Sequence, residues 1–286
     1  MCVVWLCRVG VVFTREDVRM AKRTLEQSYV NRRGFLGLVP AAMLLPSASI
    51  QAQETVGGSF PHQEATLVSE MVGASHGNIA RVKELVSLRP ALARAAWDWG
   101  YGDWETALGA ASHVGNKPIA QVLLDHGAHP TIFSAAMLGQ VEVVKMFVAA
   151  SSGVQKIRGP HGITLLAHAR AGGNPEMVKY IESLGDADTR YPSEPVDGGL
   201  APLLGTYAFG AGPTERLIVS INTRGDLVIK RDGEVDRNLF HHGGRVFNPS
   251  GAEAVRIRFE PSSGTAASVS VIDGAVLVTA RRSVTP

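Results

Sequence analysis

Residues 106–128 read TALGAASHVGNKPIAQVLLDHGA, and this stretch decides the fold of the middle of the chain. Small residues from Ala107 to Ser112 lead to a turn at Gly115-Asn116. Ile119, Val122, Leu123 and Leu124 follow at spacings of three and four, which puts one face of a helix into a core. Gly127 suits the end of that helix, because a C-terminal cap favours the left-handed conformation that glycine adopts without strain.

The same pattern recurs on both sides. Gly73-Ala74-Ser75-His76-Gly77-Asn78 precedes Ile79, Val82, Leu85 and Val86. Ala135-Ala136-Met137-Leu138-Gly139-Gln140 precedes Val143, Val144, Phe147 and Val148. Thr164-Leu165-Leu166-Ala167-His168-Ala169 and Gly172-Gly173-Asn174-Pro175 precede Val178, Ile181 and Leu184-Gly185. Asn174 suits a helix cap, Pro175 its first turn and Gly185 its end. The anchor glycines Gly77, Gly115, Gly139 and Gly173 are unevenly spaced, and the third unit is short. Internal repetition of this kind resembles an ankyrin-repeat array, carried mainly by residues 106–128 and extending over 62–188. The family's Thr-Pro-Leu-His opening survives only as Thr106-Ala107-Leu108-Gly109 and Thr164-Leu165-Leu166-Ala167. The resemblance implies an α-solenoid of about four repeats, each contacting its neighbours, with Glu64–Gly73 supplying the first helix and a concave face that binds another protein.

A linker at 189–202 is rich in Pro, Gly and acidic residues, and beyond it the period changes to two. Leu217, Val219 and Ile221 alternate with Ile218 and Ser220; Val255, Ile257 and Phe259 with Arg256, Arg258 and Glu260; Val269 and Val271 with Ser268 and Ser270. Turn signals at Asp232-Gly233, Gly243-Gly244, Ser263-Gly264 and Asp273-Gly274 separate the runs, so residues 203–286 form an antiparallel sheet curled into a sandwich or a small barrel. The opening Leu204-Gly205-Thr206-Tyr207-Ala208-Phe209 resembles small β-domains appended to β-lactamase-like serine hydrolases, although no Ser-x-x-Lys or Gly-x-Ser-x-Gly motif accompanies it. The expected fold class is α+β multidomain.

The first 52 residues have another character. Asn31-Arg32-Arg33-Gly34-Phe35-Leu36 precedes an apolar run, Leu38–Ala48, and a small residue, Ala52, where a signal peptidase would cut. Arg32, Arg33, Phe35 and Leu36 resemble a twin-arginine export motif, which implies a periplasmic protein, with an ordinary secretory signal or a buried helix as the alternatives. Met20 suits the start of such a signal better than Met1, and 53–61 is a short linker. Seven of the 28 basic residues but only three of the 26 acidic ones lie in this segment, so the chain from Gln53 onward holds 21 basic and 23 acidic residues. A basic nucleic-acid-binding body is thereby excluded, and no membrane attachment is expected after cleavage. Both cysteines, Cys2 and Cys7, lie in the same segment, which removes disulfides, thiolate zinc sites and Cys nucleophiles from the remainder.

The candidate binding surface is Trp97-Asp98-Trp99-Gly100-Tyr101-Gly102-Asp103-Trp104, with the turn at His161. In an extended hairpin Trp97, Trp99 and Tyr101 share a side, with Asp98 and Asp103 at its edge, and Trp104 packs into the array. His76 and His113 occupy equivalent repeat positions, but a repeat step is too wide for one metal ion without an intervening ligand. No metal site, cofactor or catalytic residue is therefore assigned. The expected function is binding of a protein partner in the cell envelope. The alternatives are a small-molecule or glycan site at the Trp97–Trp104 loop, and an enzyme with a His/Asp site.

Overall fold

Asn174, the cap read in the sequence, starts the helix it suits. The computed structural model describes residues 58–283. Eight α-helices come first: α1 Ala65–Ala74, α2 Ile79–Leu88, α3 Ala107–His113, α4 Lys117–Asp125, α5 Ile132–Leu138, α6 Val141–Ala150, α7 Leu165–Gly172 and α8 Pro175–Ser183. Asn78, Thr106, Asn116, Thr164 and Asn174 each accept a hydrogen bond from a backbone N–H of the first turn, and Thr131 and Ser134 form a reciprocal capping box. Leu123 and Val144 are fully buried, as their spacing requires. α5 and α7 approach so closely that a Cβ on Gly172 would collide with the backbone of Met137.

An ankyrin solenoid is not evident among the described residues, which corrects the family expectation. A solenoid propagates when each unit repeats the last. Here the connections between successive helix pairs differ in kind. Residues 89–106 hold a 3-10 turn and a two-stranded ribbon, β1 Ala96–Asp98 with β2 Trp104–Thr106; residues 126–131 form a short link; residues 151–164 hold two 3-10 turns. The apolar interior also divides, with one cluster under α1–α4 and another under α5–α8. The uneven glycine spacing is the sequence counterpart of this irregularity.

The C-terminal alternation produces a barrel rather than a sandwich. β3 Gly205–Ala208, β4 Arg216–Ile221, β5 Leu227–Arg231, β6 Arg237–His241, β7 Val246–Pro249, β8 Arg256–Glu260, β9 Ser268–Asp273 and β10 Ala275–Arg282 pair antiparallel in chain order, and β10 closes against β3. Closure removes the exposed edges that an open sheet would leave. Eight strands enclose a space that side chains can fill. Leu217, Val219, Ile229, Ile257, Phe259, Val269 and Val271 fill it together with Tyr207 and Phe247. The molecule is thus α+β, helices followed by an eight-stranded barrel.

The β1–β2 hairpin joins the two regions. Asp98 Oδ1 accepts from the N–H groups of Gly100 (2.8 Å) and Gly102 (3.1 Å), which bends the tip. Gly100, Tyr101 and Gly102 all have positive φ. Tyr101 at this tip packs against the barrel interior, whereas Trp97 and Trp99 pack against the helical core. A Cβ on Gly251, in the β7–β8 turn, would collide with the Asp103 carboxylate, so glycine there permits the barrel to meet the hairpin.

Candidate metal centre

The site is built on the second arm of this hairpin. Alternate residues of an extended segment share a side. Asp103 and Glu105 therefore turn inward together, both buried, and Trp104 between them turns outward, 64% exposed. The expectation that Trp104 packs inward is corrected for that reason: the inner side belongs to the two carboxylates. Trp97, Trp99 and Tyr101 do not act as one aromatic face either, since the first two lie on the helical core and Tyr101 on the barrel.

Three histidines converge on Glu105. His76 follows the end of α1, His113 is the last residue of α3, and His161 lies in the 3-10 turn Pro160–Gly162. His113 Nε2 is 3.0 Å from Glu105 Oε1, His161 Nε2 is 3.4 Å from the same oxygen, and His76 Nε2 is 3.4 Å from Oε2. One donor atom from each of the four residues lies within 4.8 Å of every other. His113 Nε2 and Glu105 Oε1 are both buried and neither makes a hydrogen bond. Two unpartnered buried atoms facing each other cost free energy unless something shared lies between them.

The other polar atoms of His76, His161 and Glu105 are fixed. His76 Nδ1 is 3.1 Å from the Gly73 carbonyl, which can only accept, so Nδ1 carries the hydrogen and Nε2 a free lone pair. His161 Nδ1 donates to Asp103 Oδ2 at 2.7 Å, and the His161 backbone N–H donates to Oδ1 at 2.8 Å. This double grip holds His161 at φ 59°, a left-handed conformation uncommon outside glycine. Arg237 of β6 holds Asp103 from the barrel side, with Nη1 2.8 Å from Oδ2 and Nη2 donating to the Trp99 carbonyl at 2.9 Å. Trp99 Nε1 donates to Glu105 Oε2 at 2.7 Å, leaving Oε1 as the free oxygen. Carboxylates and carbonyls that orient histidines in this way form the outer shell of metal sites.

Electrostatics tie these groups to one another. Burial alone would raise the Glu105 pKa, but its contacts with His113 and His161 outweigh burial and hold the carboxyl well below its usual range. Burial alone would lower that of His161, but Asp103 and Glu105 outweigh it and hold the ring protonated well above the usual histidine range. A nearby histidine behaves differently. Burial pushes His168 down to about 4; its Nδ1 donates to the Thr164 carbonyl at 2.8 Å, and it is not among the four.

Of the residues singled out in the sequence, Trp99, Asp103 and His161 meet at this centre, Asp98 shapes the hairpin tip, and Trp97 and Tyr101 anchor its two sides. His76 and His113 come together despite the expected gap, with ring centroids 5.0 Å apart, and Glu105 and His161 join them. Glu105 and Arg237 were not singled out. The Asp103-x-Glu105 alternation is a signal for the first; Arg237 carries none, since only barrel closure brings it there. The export residues Arg32, Arg33, Phe35, Leu36 and Ala52 lie outside the described residues.

His161 also lines an open cleft of about 900 Å³ with Arg158, Tyr191, Glu194, Asp236 and His241. His241 Nδ1 faces the Glu194 carbonyl at 3.1 Å, and its Nε2 is buried without a partner. The chain matches no family model and no curated protein, so neither the ankyrin resemblance nor that of the β-domain is upheld.

Proposed function

We propose that the protein binds one divalent first-row transition-metal ion through Nε2 of His76, His113 and His161 and Oε1 of Glu105. The observation that carries this reading is the convergence of one donor atom from each of His76, Glu105, His113 and His161 within 4.8 Å of one another, with His113 Nε2 and Glu105 Oε1 buried and without hydrogen-bond partners. Imidazole and carboxylate donors suit zinc, iron, cobalt, nickel and copper. Metal at His161 Nε2 takes the place of the proton held there, so affinity rises with pH. Competition titration with zinc tests the reading. The wild-type chain is expected to bind one equivalent. Glu105→Gln is expected to weaken binding more than about 100-fold, since loss of outer-shell partners alone costs 10–100-fold. Equal affinity in the two proteins, with both folded by thermal melt, contradicts it.

Binding of a protein partner is a second reading, supported by one observation: Trp104 stands 64% exposed on the outer side of the hairpin. Export to the periplasm belongs to the same proposal and rests on Arg32 and Arg33 before Phe35-Leu36. Among the described residues, no helix is long and apolar enough to cross a membrane.

A further inference from the structure

The arrangement of the three rings says what kind of centre this is; the argument rests on the metal reading above. With a metal–nitrogen distance of about 2.1 Å, each imidazole centroid lies about 3.2 Å from the ion, so two rings sit about 6.4 Å apart when opposite, about 5.2 Å at a tetrahedral angle and about 4.5 Å at a right angle. The His76 and His161 centroids are 6.5 Å apart, which matches the separation of two opposite ligands. His113 stands between them, 5.0 Å from His76 and 5.4 Å from His161. A closed tetrahedral site would bring all three pairs to one distance. Here two histidines stand across from each other, a third lies to the side, and Glu105 Oε1 lies 3.0 Å from that third ring's Nε2.

The three histidines are more open to solvent than the carboxylate they surround. The Glu105 side chain is 0% exposed, whereas those of His76, His113 and His161 are 32%, 12% and 24% exposed. Trp99 covers the Glu105 side, donating to that carboxylate and packing on the helical core. Charge favours an anion at the open position. Glu105 and Asp103 are buried carboxylates and Arg237 is a buried cation, so a divalent ion leaves the centre with one net positive charge.

We propose that the centre is five- or six-coordinate, with His76 and His161 on opposite sides of the ion and an exchangeable position facing solvent that takes small anionic oxygen or nitrogen donors. The bound ion acts there as a Lewis acid toward the donor rather than as a sealed structural ion.

Cobalt(II) is the probe. The full-length chain is loaded with cobalt, its visible spectrum recorded, and azide added. The expected result is one cobalt per chain, the weak visible bands of five- or six-coordinate cobalt, and a new charge-transfer band that saturates at one azide per cobalt. Acetate is expected to compete with that band. Intense bands of tetrahedral cobalt, unmoved by azide, would overturn this inference and leave the metal reading standing. No cobalt uptake would overturn both.

Discussion

Two polar clusters, one around Arg282 in the barrel and one at the β1–β2 hairpin, are satisfied to different degrees. In the barrel, each guanidinium nitrogen of Arg282 has a fixed acceptor: Nη1 the Leu204 carbonyl at 2.6 Å, Nη2 the Pro202 carbonyl at 2.9 Å and the Tyr207 hydroxyl at 2.7 Å, and Nε the Ala266 carbonyl. Its guanidinium also lies 4.9 Å from the Tyr207 ring centroid. The knot is complete and ties β10 to the start of β3. At the hairpin, His76, His161 and Glu105 each have one polar atom satisfied and another left free, and the free atoms converge with His113 Nε2. A fully satisfied polar cluster holds a fold together, whereas a half-satisfied, convergent one is shaped for something else.

Breaking the complete knot should have the largest effect. Arg282→Leu is expected to lower unfolding free energy by about 3 kcal/mol, because several carbonyls lose a charged donor at once. Denaturant unfolding measures it, and zinc stoichiometry should be unchanged. Metal binding lost in the still-folded fraction would show that the two clusters are not separate in role.

Arg237 sharpens the comparison, because it belongs to the barrel by sequence and to the metal centre by contact. Arg237→Gln is expected to weaken zinc binding 10–100-fold with one equivalent still bound, as for other outer-shell losses. An unchanged affinity would mean that Asp103 orients His161 without help from the barrel. Trp104 marks the smallest effect. Trp104→Ala is expected to change stability by no more than about 0.5 kcal/mol and to leave zinc binding intact, since its ring is exposed. A drop comparable to that of Arg282→Leu would contradict its outward orientation.

The two regions also differ in what their residues disclose. The barrel strands follow from local alternation: Val255, Ile257 and Phe259 face inward and Arg258 and Glu260 outward, as period two requires. Ile221, at the end of its strand, is exposed where the alternation put it inward. Helix positions follow from caps such as Asn174 and from apolar spacing. The choice of barrel over sandwich depends on β10 meeting β3, a pairing of distant segments that no local pattern encodes. The family resemblance misled because helix-turn-helix spacing is common to many helical arrangements, while the connections between pairs here are irregular. The metal centre draws on residues 76, 105, 113 and 161, which sit on four separate elements. His76 and His113 were visible as a repeated position, but their convergence depends on Glu105, whose inward turn follows from hairpin register, and on His161, which Asp103 holds in place.

X-ray absorption at the metal edge tests the central claim most directly. For the zinc-loaded chain the account predicts a first shell of nitrogen and oxygen only, with the multiple-scattering signature of three imidazoles, falling to two in His113→Ala. A sulfur shell from Cys2 and Cys7, or an imidazole signature that His113→Ala leaves unchanged, would contradict the account.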